Sequence, residues 1–102
     1  MAKVYDANYE YEFDGKMIYP KILKCDLEEE LVKFGIDCAV EALEKYSVEK
    51  DISEYIKKCF DEVYDEFWHV VVGVDFSVSL THSSRNFLFF QIEKTFFLVF
   101  RL

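Results

Sequence analysis

From Ile52 to Tyr64 the apolar residues recur with the period of an α-helix. Ile52, Tyr55, Ile56, Cys59, Phe60, Val63 and Tyr64 fall at i, i+3, i+4, i+7, i+8, i+11 and i+12. One unbroken stripe of this kind demands a partner surface along its whole length. Glu54, Lys57, Lys58, Asp61 and Glu62 lie between the stripe residues and form the solvated face. Asp51 stands at the start, where a carboxylate suits the unpaired N–H groups and the helix dipole. At Trp68 the period changes to two. Trp68, Val70 and Val72 alternate with His69 and Val71, up to Gly73. Phe76, Val78, Leu80 and His82 alternate with Ser77, Ser79 and Thr81. Phe87, Phe89 and Gln91 alternate with Leu88, Phe90 and Ile92, and Phe96, Leu98 and Phe100 with Phe97 and Val99. Four strands with short links predict an antiparallel sheet. The links Val74-Asp75, Ser83-Ser84-Arg85 and Glu93-Lys94 contain no Gly, so none is an ideal two-residue hairpin turn.

Upstream, Pro20 precedes Ile22-Leu23-Lys24-Cys25, which reads as a short strand. Asp26 with Glu29 three residues on resembles a capping box and predicts a helix start. Leu27, Leu31, Phe34, Cys38, Ala42 and Tyr46 then keep helical spacing, with Ala39 and Leu43 beside them. Gly35 in the middle costs about 1 kcal/mol relative to Ala. The order is a short strand, two helices and four strands. It predicts an α+β domain over residues 19–102, with two helices packed on an antiparallel sheet. Residues 1–18 form an acidic, Tyr-rich extension. Its composition reads as a flexible tail. The alternation of Tyr9, Tyr11 and Phe13 with Glu10 and Glu12 offers a second reading, an added edge strand or an interaction arm.

Composition then narrows the function. A net charge of −8 argues against nucleic acid and against an anionic membrane surface, both of which need a basic footprint. The N-terminus lacks the basic and apolar pattern of a signal peptide, and the apolar runs are too short to span a bilayer. Cys25, Cys38 and Cys59 are odd in number and widely spaced, which reads as reduced thiols, with Cys38 and Cys59 on apolar helix faces. His69, His82 and the cysteines show no metal-ligand spacing, so no metal or other cofactor is expected. The run Glu28-Glu29-Glu30 is a solvated helix start. No nucleophile elbow, phosphate loop or dinucleotide fingerprint is present, and no catalytic residue is assigned. The strand Phe76 to His82 pairs an apolar face with the small hydroxyls Ser77, Ser79 and Thr81. At a sheet edge such a strand is an aggregation risk or a docking site.

Read together, Asp37-Cys38-Ala39, Ala42-Leu43-Glu44-Lys45-Tyr46, Glu49-Lys50-Asp51-Ile52, Tyr55-Ile56-Lys57-Lys58, Phe60-Asp61, Trp68-His69, Val72-Gly73, Phe76, Thr81-His82, Phe87, Phe90, Leu98 and Phe100 resemble the eight-kilodalton dynein light chain family. The likeness covers about residues 20–101 and runs without a gap from Asp37. It implies a non-catalytic, cytoplasmic, cytoskeleton-associated light chain, a homodimer in which the strand Phe76 to His82 crosses to the partner's sheet. It also implies two grooves that take extended, disordered peptide segments by strand addition, the dynein intermediate chain among them. The implied groove residues are Glu49, Lys50, Phe76, Val78, Leu80, Thr81, His82, Phe87, Phe89 and Leu98. The implied interface residues are His69, Ser79 and Thr81, and protonating His69 in mild acid would set like charges against each other and favour monomer. Several positions depart from the family. Val78 stands for Ser, Ser79 for Tyr, Phe89 for Tyr, Gln91 for Tyr and Phe96 for a small Ala. Residues 1–18 have no family counterpart, and the terminal phosphorylatable Ser is replaced by Arg101-Leu102. These departures support the alternative of a same-fold hub whose partners are not dynein.

Overall fold

The computed structural model describes residues 9–74 and 86–101. The elements run β1 (Tyr11–Phe13), β2 (Lys16–Ile18), β3 (Lys21–Cys25), α1 (Glu29–Lys45), α2 (Glu49–Val63), β4 (Trp68–Gly73), β5 (Phe87–Ile92) and β6 (Thr95–Arg101). This is the α+β arrangement expected from the two hydrophobic periods. The crossing strand expected over Phe76 to His82 lies outside the described residues.

The two helices close the core from one side. On α1, Val32, Gly35, Ile36, Cys38, Ala39 and Ala42 are buried at helical spacing. On α2, Ile52, Ile56 and Phe60 are buried. Phe34 of α1 meets Phe60 and Tyr64 edge-on, with centroids 5.1 and 5.0 Å apart. The start of α1 differs from the sequence expectation. The capping box was placed at Asp26, but α1 begins at Glu29, after an extended Glu28 that makes no side-chain cap. The reason is that Asp26 directly follows β3 and is still tied to β5, its N–H donating to the Phe87 carbonyl at 2.8 Å. Asp51 stands where its carboxylate suits the helix dipole, as expected. It lies in the first turn of α2, behind Val48.

Four strands form one antiparallel sheet in the order β3-β5-β6-β4. A register shift between Ile22 and Lys24 marks a bulge in β3. Leu88, Phe90, Phe97 and Val99 face the helices and are fully buried. Trp68 anchors the end of α2. Its ring lies 4.8 Å from Phe60, its Nε1–H donates to the Tyr64 carbonyl at 3.2 Å, and its backbone N–H donates to Asp61 at 3.0 Å. Arg101 Nη1 donates to the same carbonyl at 2.9 Å, and the guanidinium sits 4.8 Å from the indole. A helix-end carbonyl that would otherwise lack a partner is thus doubly satisfied.

Glu93-Lys94 does form a two-residue turn between paired Ile92 and Thr95. Without glycine, Glu93 itself takes the left-handed conformation at φ 54°. In the extension, β1 and β2 form a hairpin in which Phe13 pairs with Lys16. Asp14 and Gly15 sit at φ 54° and 76°, the pair of positive angles that a type I′ turn needs. Tyr9, Tyr11 and Phe13 pack on the core, Ile18 is buried, and the Tyr11 hydroxyl donates to Asp37 of α1. Residues 11–18 are therefore a hairpin of their own, neither a tail nor a strand added to the edge of the main sheet.

Candidate peptide-binding face

The helices cover only one side of the sheet. Antiparallel register puts alternate residues on the other side in three rows. Phe87, Phe100 and His69 form the first row, Phe89, Leu98 and Val71 the second, and Gln91, Phe96 and Gly73 the third. The face is aromatic and aliphatic. His69 stacks on Phe100 at 5.1 Å and 23°, and Phe89 on Phe96 at 6.0 Å and 23°. Phe87 and Leu98 are buried, Phe89, Phe96 and Phe100 partly so, whereas Val71 is 42% exposed.

Beside this face lies an open strand edge. Among the described residues β4 pairs only with β6, so its outer edge carries no ladder. Helix α2 packs along β4 on the covered side. Its start, at Glu49 and Lys50, is exposed, and no side chain caps it. The first-turn N–H groups are thus available to an acceptor from outside the helix.

The structure brings together part of the set chosen from sequence. Phe87, Phe89, Leu98 and His69 share the helix-free face. Glu49 and Lys50 sit at the end of α2. Phe76, Val78, Ser79, Leu80, Thr81 and His82 lie outside the described residues. Sequence reasoning left out Val71, although the alternation in Trp68 to Gly73 puts it on the same side as His69. It treated Phe96 only as a departure, yet Phe96 belongs to the face through its stack on Phe89.

No group of three or more His, Cys, Asp or Glu among the described residues is arranged to hold a metal. No helix of the described chain is long and apolar enough to cross a membrane. Among the described residues, perturbed acids and bases do not converge on the sheet face. Tyr11 is pushed up by burial and by its bond to Asp37, under the hairpin, and Cys38 is pushed up by burial between the helices.

The family model described as dynein light chain type 1 matches residues 19–102. The chain belongs to the dynein light chain family. As a member it is, in general terms, a dynein-associated accessory subunit, and that family is non-catalytic and works in cytoplasmic, cytoskeleton-associated motor complexes. The match begins at Tyr19, directly after β2, so the β1–β2 hairpin lies outside the light-chain part.

Proposed function

We propose that this light chain is a homodimeric hub that captures extended peptide segments by strand addition, with the dynein intermediate chain among its partners. One observation carries the reading: the outer edge of β4 is unpaired among the described residues and borders an apolar sheet face. An edge of this kind recruits a strand from another chain. In this reading the segment Phe76 to His82 crosses to pair with β4 of a second copy, and Ser79 and Thr81 meet His69 there. A peptide then lies between the crossing strand and α2. A polar side chain of that peptide accepts from the uncapped N–H groups near Glu49 and Lys50.

A second reading keeps the dimer and changes the partner. Phe96 stacks on Phe89 where the family carries a small side chain, so a ring occupies part of the face. This favours a groove that selects against the usual Thr-Gln-Thr core.

Sedimentation equilibrium of the full chain tests the shared core of both readings. The expected result is a dimer that Val71→Lys converts to monomer, because a charge would enter a desolvated interface. A wild-type chain that stays monomeric at tens of micromolar, a concentration at which only weak association escapes detection, would overturn both. Peptide titration of Phe96→Ala against wild type separates the two readings. Gain of Thr-Gln-Thr binding on losing the ring supports the second.

A further inference from the structure

Three parts of the chain meet around a cavity on the helix side of the sheet. The β1–β2 hairpin, the last turns of α1 and the β5–β6 turn enclose about 300 Å³. The walls are apolar: Phe13 and Ile18 from the hairpin, Leu43 from α1 and Ile92 from the end of β5. Ile18 and Ile92 are buried members of the core, and Phe13 and Leu43 pack against it half-buried, so the walls are held in place by the fold itself. The mouth is charged. Lys16 Nζ meets Glu93 Oε1 across it at 3.0 Å, tying the hairpin to the β5–β6 turn, and Asp14 stands exposed beside them. Both partners of that pair are more than half exposed, so it is weak and opens easily. Phe13, Asp14, Lys16 and Ile18 all precede the light-chain match, which starts at Tyr19. The cavity is thus built by the extension as much as by the light-chain part. It lies on the opposite side of the sheet from the face read above as taking peptide.

We propose that this cavity is a binding site for a small hydrophobic ammonium compound, a single ring or branched aliphatic group with an amine on a short arm. The volume stands at the lower end of small-molecule sites and exceeds the roughly 150 Å³ in which an apolar cavity takes benzene, so it suits one ring and an arm. Removing the ring from water against Phe13, Ile18, Leu43 and Ile92 supplies most of the affinity. The mouth selects the head group. Two carboxylates, Asp14 and Glu93, stand there against one ammonium, Lys16, which Glu93 already engages. A ligand ammonium gains attraction at this rim, whereas a carboxylate of the same size meets repulsion. The net charge of −8 acts in the same direction at longer range.

The test titrates the full chain with phenethylamine at neutral pH and follows backbone amide shifts by NMR. Hydrocinnamate and phenethyl alcohol carry the same ring and arm with a negative and a neutral head. The amine should give saturable shifts at Phe13, Lys16, Leu43 and Ile92, with half-saturation at about a millimolar. Hydrocinnamate should bind roughly tenfold more weakly, with the alcohol between the two. Asp14→Asn keeps the left-handed turn position, which Asn accepts as readily as Asp. It should weaken the amine roughly two- to fivefold and leave the alcohol unchanged. Phe13→Ala, which removes a wall, should weaken amine and alcohol alike. Absence of saturation at these residues by about 10 mM amine would overturn the proposal. So would equal binding of amine and hydrocinnamate, or an Asp14→Asn chain that binds the amine as tightly as wild type.

Discussion

Gly35→Ala sets two effects of known size against each other. In the middle of a helix, Ala is favoured over Gly by about 1 kcal/mol. Against this, the added Cβ would stand 2.9 Å from Leu88 Cδ2 and 3.2 Å from Phe60 Cζ. Carbon atoms in contact prefer about 3.5–4.0 Å, so Leu88 must retreat by roughly 0.6 Å and Phe60 by roughly 0.3 Å. Neither has room, because both are fully buried in the shared core. Overpacking of this kind costs about 1–3 kcal/mol, so a net loss of about 1 kcal/mol is expected. The assay is urea unfolding at one fixed protein concentration, followed by Trp68 fluorescence. Leu88→Val supplies an internal check, since shortening the obstructing side chain should make Gly35→Ala less costly by about 0.5 kcal/mol or more in a double-mutant cycle. A Gly35→Ala chain that is about 1 kcal/mol more stable than wild type, with no coupling to Leu88, would refute the claim that Gly35 sets the spacing of α1 from α2 and the sheet.

Ile18→Ala removes the 2%-exposed residue by which β2 plugs the core and should cost about 3 kcal/mol in the same unfolding experiment. It should leave peptide affinity unchanged, because the hairpin precedes the light-chain match; a loss of affinity in a folded chain would place the hairpin in the binding face. Glu93→Gly relieves a left-handed non-glycine residue and should stabilise by about 1 kcal/mol, since the Lys16–Glu93 pair at 3.0 Å is too exposed to offset that gain. Burial alone would raise the Asp61 carboxyl, but its bonds from Lys57 and the Trp68 N–H outweigh this and hold it below its ordinary value. A depressed carboxyl adds stability that is complete above its unfolded value and is lost as pH falls through the folded one, so the acid limb of stability below roughly pH 4 should be shallower in Asp61→Asn. Identical acid limbs for the two chains would refute that linkage.

The sheet and helices were legible because their periods are clean and long. The stripe from Ile52 to Tyr64 admits only one buried face, and the alternation after Trp68 fixes which side of each strand meets it. Helix starts were less legible. Asp26 has the chemistry of a cap, but the bond from its N–H to the Phe87 carbonyl ties it to β5, and only a non-local contact decides that. Asp14-Gly15, flanked by Phe13 and Lys16, is a strong type I′ signal, but the acidic composition around it is equally that of a solvated tail, and only packing on the core separates the two. The Glu93 turn was hidden for the opposite reason, because a non-glycine residue accepts the strained conformation there. Of the candidate face, the residues on β4, β5 and β6 follow from alternation alone.

The central claim is that this light chain binds peptide through a groove built on the β4 edge and α2. Calorimetric titration of the full chain with a Thr-Gln-Thr-type peptide tests it most directly. The first reading predicts saturable heat at one peptide per chain; the second predicts it only after Phe96→Ala. No heat, from protein that sedimentation shows to be a folded dimer, would contradict a conventional light-chain groove.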